Sequence, residues 1–123
     1  MASNYLFDGL LSGRESDSRL LFDVPGGRSW SYADVVARSG QYANLLQASG
    51  VAAGDRVAVQ VHKSVEAIAL YLATVRAGAV FLPLNTAYTR AEVGYFLDDA
   101  EPAVFVCDSQ REPEFGAIEA RLY

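Results

Sequence analysis

The sequence contains little cysteine, histidine or positive charge, and each shortage excludes a class of protein. A single cysteine, Cys107, cannot form an internal disulfide framework. Together with the only histidine, His62, it also cannot provide the ligands of a structural zinc site. Only 10 basic residues oppose 15 acidic ones, which gives a formal net charge of −5. Because proteins bind nucleic acid mainly through Lys and Arg at the phosphates, we expect no nucleic-acid partner.

Signals for export or membrane insertion are also missing. The chain does not start with the basic and then apolar stretch of a secretion signal, which predicts a cytoplasmic protein. The longest apolar stretch, residues 65–84, contains Glu66, Arg76 and Pro83, whereas a membrane span needs about 20 mostly apolar residues. We therefore interpret this stretch as a buried helix followed by a strand, and we expect no membrane partner.

The first half of the sequence predicts a helix, a β-hairpin and a second helix. The composition of the whole 123-residue chain, 51% hydrophobic and 20% charged, is typical of one small globular domain. Apolar spacing over residues 5–11 predicts the first helix, and residues 20–24 and 28–30 flank a Pro-Gly-Gly turn that is typical of a hairpin. Ser31 followed by Asp34 resembles a capping box, and the helical spacing behind it continues until Gly50.

From Gly54 onward, strands and helices alternate. Strands are predicted at residues 56–61, 79–82 and 103–107, and helices at 65–77, at 90–99 and from Asp108 or Ser109 onward. We expect the first strand to have one strongly apolar face and the helix at 65–77, apolar nearly all round, to be buried. The alternation predicts an α/β fold: a β-hairpin plus a small, mainly parallel sheet with β-α-β-α-β-α crossovers.

Two features indicate that this unit is part of something larger. A parallel sheet of three strands is small, because parallel sheets are usually covered on both faces. The last predicted helix also reaches Tyr123 without a C-terminal capping signal. We therefore expect residues 1–123 to form a single partial domain.

Three groups of residues are candidates for chemistry, and each also has a structural interpretation. The turn His62-Lys63-Ser64 lies between a strand and a helix, where an anion could bind, but Ser64 could equally cap the helix. Without a glycine-rich phosphate loop, capping is the interpretation that we favour. Cys107 could be a nucleophile, although a cysteine that ends a buried strand is usually a small core residue.

The third candidate is a run of carboxylates, Asp98, Asp99 and Glu101. It could be mistaken for an acid–base pair or a metal site. The run lies at the end of a helix before Pro102, where acids exposed to solvent are common, and no loop pattern supplies the converging oxygens that a cation needs. We expect no metal site and no catalytic role here.

Four segments together resemble the adenylate-forming superfamily, which comprises acyl-CoA synthetases, luciferases and peptide-synthetase adenylation domains. Residues 29–35 (SWSYADV) resemble its first core motif, and residues 54–59 (GDRVAV) resemble the strand that follows it. Residues 71–85 (YLATVRAGAVFLPLN) are similar to the second core motif, which residues 86–93 (TAYTRAEV) continue in the acyl-CoA synthetase form. The resemblance extends from about residue 7 to residue 108 and implies the opening portion of the large N-terminal domain.

Within the superfamily, the sequence most closely resembles malonyl-CoA synthetases, at residues 62–67 (HKSVEA), 70–78 (LYLATVRAG), 84–89 (LNTAYT) and 99–102 (DAEP). This resemblance implies that a full-length chain would join malonate to coenzyme A with ATP and Mg²⁺ and release AMP and pyrophosphate. Two alternatives stay open: a ligase for a fatty or aryl acid, and a stand-alone, non-catalytic protein-interaction module.

The resemblance assigns no catalytic, cofactor-binding or metal residue to this sequence. The superfamily's phosphate loop is not present, and Lys63 does not match the family's catalytic lysine, which lies near the far C-terminus. We therefore expect the chain alone to be inactive and to bind none of ATP, Mg²⁺ or coenzyme A. The expected partner of residues 1–123 is the remainder of the full-length protein. Without it, exposed apolar surface would favour self-association.

Overall fold

The computed structural model describes Leu11 and residues 13–108, which form an α/β fold. The helices and strands in this part of the chain are, in order, β1 (Leu20–Asp23), β2 (Ser29–Ser31), α1 (Tyr32–Ala48), β3 (Arg56–Gln60), α2 (Val65–Arg76), β4 (Val80–Pro83), α3 (Arg90–Ala100) and β5 (Val104–Cys107). The two predicted terminal helices lie outside the described residues, apart from Leu11. Among the described helices, none is long and apolar enough to cross a membrane.

Two separate sheets confirm the predicted fold class. β1 and β2 pair antiparallel, and the parallel sheet has the order β4-β3-β5. In the hairpin turn, Gly27 N–H donates to the Val24 carbonyl at 2.9 Å, and Gly26 has a φ of 74°. Pro25 and Gly26 therefore occupy the central positions of a type II turn, the second of which requires positive φ.

Side-chain caps begin α1, α2 and α3 where the sequence predicted them. The Ser31 and Thr89 hydroxyl oxygens each accept a hydrogen bond from the backbone N–H three residues later, and the Asp34 and Glu92 carboxylates in turn accept one from the backbone N–H of the capping residue. Both are complete capping boxes, which satisfy backbone donors that a helix start leaves free. Ser64 accepts from a backbone N–H of α2 in the same way. These local signals explain why the predicted and observed helix starts agree.

The parallel sheet is covered on both faces, which corrects the expectation for β3. On one face, Val57 and Val59 of β3 pack against α1 and α2; on the other, Ala58 packs against Val93 and Leu97 of α3. The sequence predicted one strongly apolar face, but Ala58 is only 1% exposed. The alanine side chain is small, so the alternation of valine and alanine suggested that only the valine face was apolar. Both faces of the strand are in fact buried.

A cluster of charges ties the segment before β1 to the start of α1. The Asp17 carboxylate accepts hydrogen bonds from Arg19 Nη2 at 2.6 Å and from Arg14 Nη1 at 3.0 Å. The backbone carbonyl of Asp17 accepts a further hydrogen bond from Ala33 N–H at 2.8 Å. The hydrogen bonds from the Arg19 side chain and backbone hold the pKa of Asp17 well below its usual range. The charged form of this carboxylate therefore stabilises the folded state.

Asp17→Asn should flatten the acid end of the stability profile. A lowered pKa in the folded state contributes stability above the unfolded pKa of about 3.9, and this contribution is lost as the pH falls from that value towards the folded pKa. The free energy of unfolding, measured with urea between about pH 5 and pH 2, should therefore fall less in the variant than in the unmodified chain. The control is Asp98→Asn, which replaces an exposed carboxylate on α3. Its free energy of unfolding should depend on pH as in the unmodified chain. Identical profiles for Asp17→Asn and the unmodified chain would contradict the prediction.

Thr89→Ala should destabilise the chain by about 1 kcal/mol, because it removes the side-chain oxygen that accepts from Glu92 N–H at 3.3 Å. Thr89→Ser keeps that oxygen and should stay close to the unmodified chain. Chemical unfolding followed by circular dichroism gives both values. Equal losses in the two variants would show that the capping hydroxyl does not stabilise α3.

Candidate functional site

Three loops meet at the carboxyl edge of the parallel sheet, the edge at which open α/β sheets bind ligands. His62, Lys63 and Ser64 follow β3, Asn85 follows β4, and Asp108 follows β5. Because the three strands are parallel, the loops lie at the same edge. The anion site considered from the sequence therefore falls at the place where the fold would put a ligand.

His62 and Asp108 pair across this edge. The His62 ring nitrogen Nδ1 lies 2.6 Å from an Asp108 carboxylate oxygen, and the His62 backbone N–H donates to the same oxygen at 3.4 Å. The pair links the end of β3 to the end of β5. The sequence did not predict this contact, because its partners are 46 positions apart and only the parallel pairing of their strands brings them together.

Ser64 and Lys63 do not form an anion site in this geometry. The Ser64 hydroxyl oxygen accepts from Ala67 N–H at 3.0 Å and therefore caps α2. Lys63, the single lysine of the sequence, is exposed beside it. An anion site needs several donors that converge on one point, and one exposed ammonium next to an occupied cap does not supply them. The geometry assigns Ser64 a structural role.

Cys107 lies in the core and is 7% exposed. It packs with Val93, Leu97 and Phe105 between β5 and α3. Reactive thiols occupy partly exposed, electropositive surroundings, whereas this one is surrounded by apolar side chains. Cys107 therefore acts as a small core residue.

The carboxylates Asp98, Asp99 and Glu101 are exposed where α3 ends. Glu101 adopts a left-handed backbone conformation with a φ of 48° and terminates the helix. Within the described residues, no group of three His, Cys, Asp or Glu side chains could hold a metal ion. The arrangement of these three acids is that of a solvated helix end.

Gln60 is the polar residue that the sequence analysis overlooked. It is fully buried at the end of β3, and its Nε2 donates to the Asn85 carbonyl at 2.8 Å and to the Tyr88 carbonyl at 3.4 Å. Its Oε1 is buried with no hydrogen-bond partner. Gln60 therefore fastens the loop between β4 and α3 to the central strand. The available signal was a glutamine at a position where the strand otherwise alternates small and apolar residues.

Two apolar grooves flank the first turn of α2. The larger one, here named the hairpin groove, lies between the β1–β2 hairpin and α2 and has a volume of about 720 Å³; its walls include Val24, Trp30, Val65, Ile68, Tyr71 and Phe81. The smaller one, of about 250 Å³, lies between α1 and α2 and ends at Asp108. Ser64, Glu66 and Ala67 border both grooves. Neither groove presents a cluster of free polar groups like that of a nucleotide site.

Gln60→Glu should destabilise the chain by at least about 2 kcal/mol. The substitution keeps the shape of the side chain but places a carboxylate oxygen opposite the carbonyls of Asn85 and Tyr88, where a donor stood. Gln47→Glu, at an exposed position on α1, is the matched control and should change the free energy of unfolding little. If the two variants unfold at the same urea concentration, the buried amide does not fasten the loop.

Comparison with known proteins places this geometry in a family. The family model of AMP-binding enzymes matches residues 12–121. The ATP-bound crystal structure of MatB from Rhodopseudomonas palustris is 46% identical, covers 98% of this chain and superposes with a TM-score of 0.87. The long-chain-fatty-acid–CoA ligase FadD13 of Mycobacterium tuberculosis is 35% identical over 74% of this chain. Tyrocidine synthase 3 of Brevibacillus parabrevis is 31% identical over 81% of it.

The chain is much shorter than these relatives. It spans 25% of the MatB chain, 18% of FadD13 and 2% of tyrocidine synthase 3. The family model nevertheless covers most of the chain, and the MatB superposition covers nearly all of it. The chain belongs to the AMP-binding enzyme family.

Proposed function

We propose that these residues are the N-terminal part of an AMP-forming acid–CoA ligase and that malonate is its acid substrate. The observation that carries the proposal is the likeness to MatB, a malonyl-CoA synthetase, at 46% identity over 98% of the chain. The likeness to FadD13 is lower, at 35% identity over 74% of the chain. Membership of the AMP-binding family supports ATP as the activating substrate.

The proposed activity of the full-length protein has two steps. A carboxylate oxygen of malonate attacks the α-phosphate of ATP, held with Mg²⁺, and pyrophosphate leaves to give malonyl-AMP. The thiol of coenzyme A then loses its proton and attacks the activated carbonyl, and AMP leaves to give malonyl-CoA. The first step needs positive charge and hydrogen-bond donors around the phosphates, because negative charge moves onto the leaving pyrophosphate.

The residues described here do not fit an ATP site, and we assign none of them to either step. At the carboxyl edge of the sheet, the Ser64 hydroxyl caps α2 and the Gln60 amide donates to two backbone carbonyls. Lys63 is the one lysine there, and the grooves beside it have largely apolar walls. Residues 1–123 would therefore act as a partial domain that supports the catalytic residues, which lie elsewhere in the full-length chain.

A second candidate is a ligase for a longer, apolar acid. The 35% identity to FadD13, a long-chain-fatty-acid–CoA ligase, favours it. The two candidates differ in the chemistry of the acid site, since malonate presents a second carboxylate and a fatty acid presents an alkyl chain. A site built to bind one of these groups discriminates strongly against the other.

Pyrophosphate release by the full-length protein, expressed from the complete reading frame, tests the proposal. With ATP, Mg²⁺ and coenzyme A present, kcat/KM for malonate should exceed that for octanoate by at least about tenfold. A preference for octanoate would exclude malonate as the natural acid. If neither acid leads to pyrophosphate release, the assignment as a ligase for these acids is contradicted. The 123-residue chain, assayed in parallel, should release no pyrophosphate.

A further inference from the structure

A row of three aromatic rings runs from the core to the outer side of α3. Tyr88, in the loop before the helix, packs against the core cluster that contains Val93. Its ring stacks on that of Phe96 with the ring centroids 5.1 Å apart, and the Phe96 ring meets that of Tyr95 edge-on at 5.7 Å. Both arrangements are favourable for aromatic rings, so the row supports the Tyr95 ring from inside the protein.

Tyr95 stands at the exposed end of this row. Val93 and Leu97 are buried on the inward side of α3, and Tyr95 lies on the opposite side. Tyr95 is 70% exposed, the highest value among the exposed large hydrophobic side chains of the described residues, and Phe96 is 36% exposed. The two rings therefore present an aromatic surface to the solvent.

Two carboxylates flank this aromatic surface. Asp98 and Asp99 follow Tyr95 by three and four residues, a spacing that makes side chains neighbours on the surface of a helix. Both are exposed, and neither forms an ion pair with a basic side chain among the described residues. The surface formed by Tyr95, Phe96, Asp98 and Asp99, here named the α3 face, thus combines aromatic rings with negative charge.

The negative charge of the α3 face lies where the helix itself disfavours it. Asp98 and Asp99 are in the last turn of α3, which contains no basic residue. The carbonyl end of a helix carries partial negative charge, so carboxylates there are unfavourable and cations are favourable. Arg56 donates to the Ala100 carbonyl at 2.8 Å and therefore engages the backbone there. Local choices that oppose stability are expected at functional sites, and this one favours a cation that comes from another molecule.

The chemistry of the α3 face narrows the choice of occupant. An apolar segment would bury unpaired carboxylates, which is costly, and nucleic acid would bring further negative charge. An Arg side chain suits both parts of the face, because a guanidinium stacks on a tyrosine ring and donates to a carboxylate. The chain already contains one such arrangement, in which Arg28 lies over the Trp30 ring at 4.0 Å and pairs with Asp34 at 3.2 Å.

We propose that the α3 face is a docking surface for a basic segment of a second protein, with an Arg side chain stacked on Tyr95 and paired with Asp98 or Asp99. This docking goes beyond the ligase function and does not depend on it, since none of these residues is assigned to either step. Contacts of this kind are individually weak at exposed sites, so the binding is reversible and weakens as the salt concentration rises.

Binding of a defined basic peptide to the full-length protein tests the aromatic part of the α3 face. The probe is a fluorescein-labelled octapeptide of alternating Arg and Gly, followed by fluorescence anisotropy, and the same peptide with Glu in place of Arg should not bind. Tyr95→Ser should raise the Kd of the basic peptide at least about threefold, because it removes the ring on which a guanidinium stacks. Tyr95→Phe keeps the ring and should bind like the unmodified protein.

Two double variants separate the carboxylates of the α3 face from the general negative charge. Asp98→Asn combined with Asp99→Asn should raise the Kd at least about threefold. Glu15→Gln combined with Glu66→Gln removes the same charge from exposed positions elsewhere and should change the Kd less. Because all four positions are exposed, the circular dichroism spectrum of each variant should match that of the unmodified protein.

Four results would overturn the proposal. Equal Kd values for Tyr95→Ser and Tyr95→Phe, or equal weakening by the two double variants, would show attraction to the general charge only. Absence of peptide binding by the full-length protein would exclude the docking surface. A change of oligomeric state in Tyr95→Ser without peptide would assign the α3 face to a second copy of the chain.

Pyrophosphate release by the full-length protein separates this inference from the proposed function. Peptide binding that depends on Tyr95 in a protein without pyrophosphate release would reject the ligase assignment but keep the docking surface. Release of pyrophosphate without such binding would reject only the docking surface.

Discussion

Enclosure of β3 is the constraint on which the rest of the described structure depends. The strand pairs with β4 on one edge and β5 on the other, and helices cover both of its faces. A strand in this position exposes no backbone donor or acceptor to water, so its ladder must be complete and its side chains small or apolar. The exceptions lie at its two ends: Arg56 is exposed at the start, and the Gln60 amide at the end donates to the carbonyls of the neighbouring loop. The loops at the carboxyl edge are thus held by the same strand that organises the core.

These loop contacts explain why the candidate residues at this edge do not converge into an anion site in the described part of the chain. At the edge where α/β proteins bind ligands, three of the polar side chains are engaged within the chain: His62 with Asp108, the Gln60 amide nitrogen with the β4–α3 loop, and Ser64 with the start of α2. These hydrogen bonds leave few side-chain donors for a phosphate among the described residues. The grooves on either side of α2 have largely apolar walls, unlike a nucleotide site with its converging polar groups.

Much of the fold could be predicted because its signals are local. Capping residues, the Pro-Gly-Gly turn and apolar spacing act within a few positions, and they placed the ends of the described helices and strands within one or two residues of those observed. Two predictions about burial differ from the structure for a shared reason. β3 is covered on both faces instead of one, and α2, expected to be buried, leaves Ile68 and Tyr71 partly exposed among the described residues. Both depend on which other segments pack there, and periodicity along one segment does not contain that information.

The sequence by itself determined the described helices and strands, the α/β class and the family, because motif order and hydrophobic spacing are properties of neighbouring residues. It also indicated that Cys107 and the carboxylates at the end of α3 have structural explanations, which their burial and exposure support. Only the tertiary structure decided that His62 meets Asp108, that Gln60 fastens a loop 25 positions away, and that α2 keeps an apolar face open. The physical reason is that these features arise from contacts between residues far apart in sequence, which exist only after parallel pairing brings β3, β4 and β5 into one sheet.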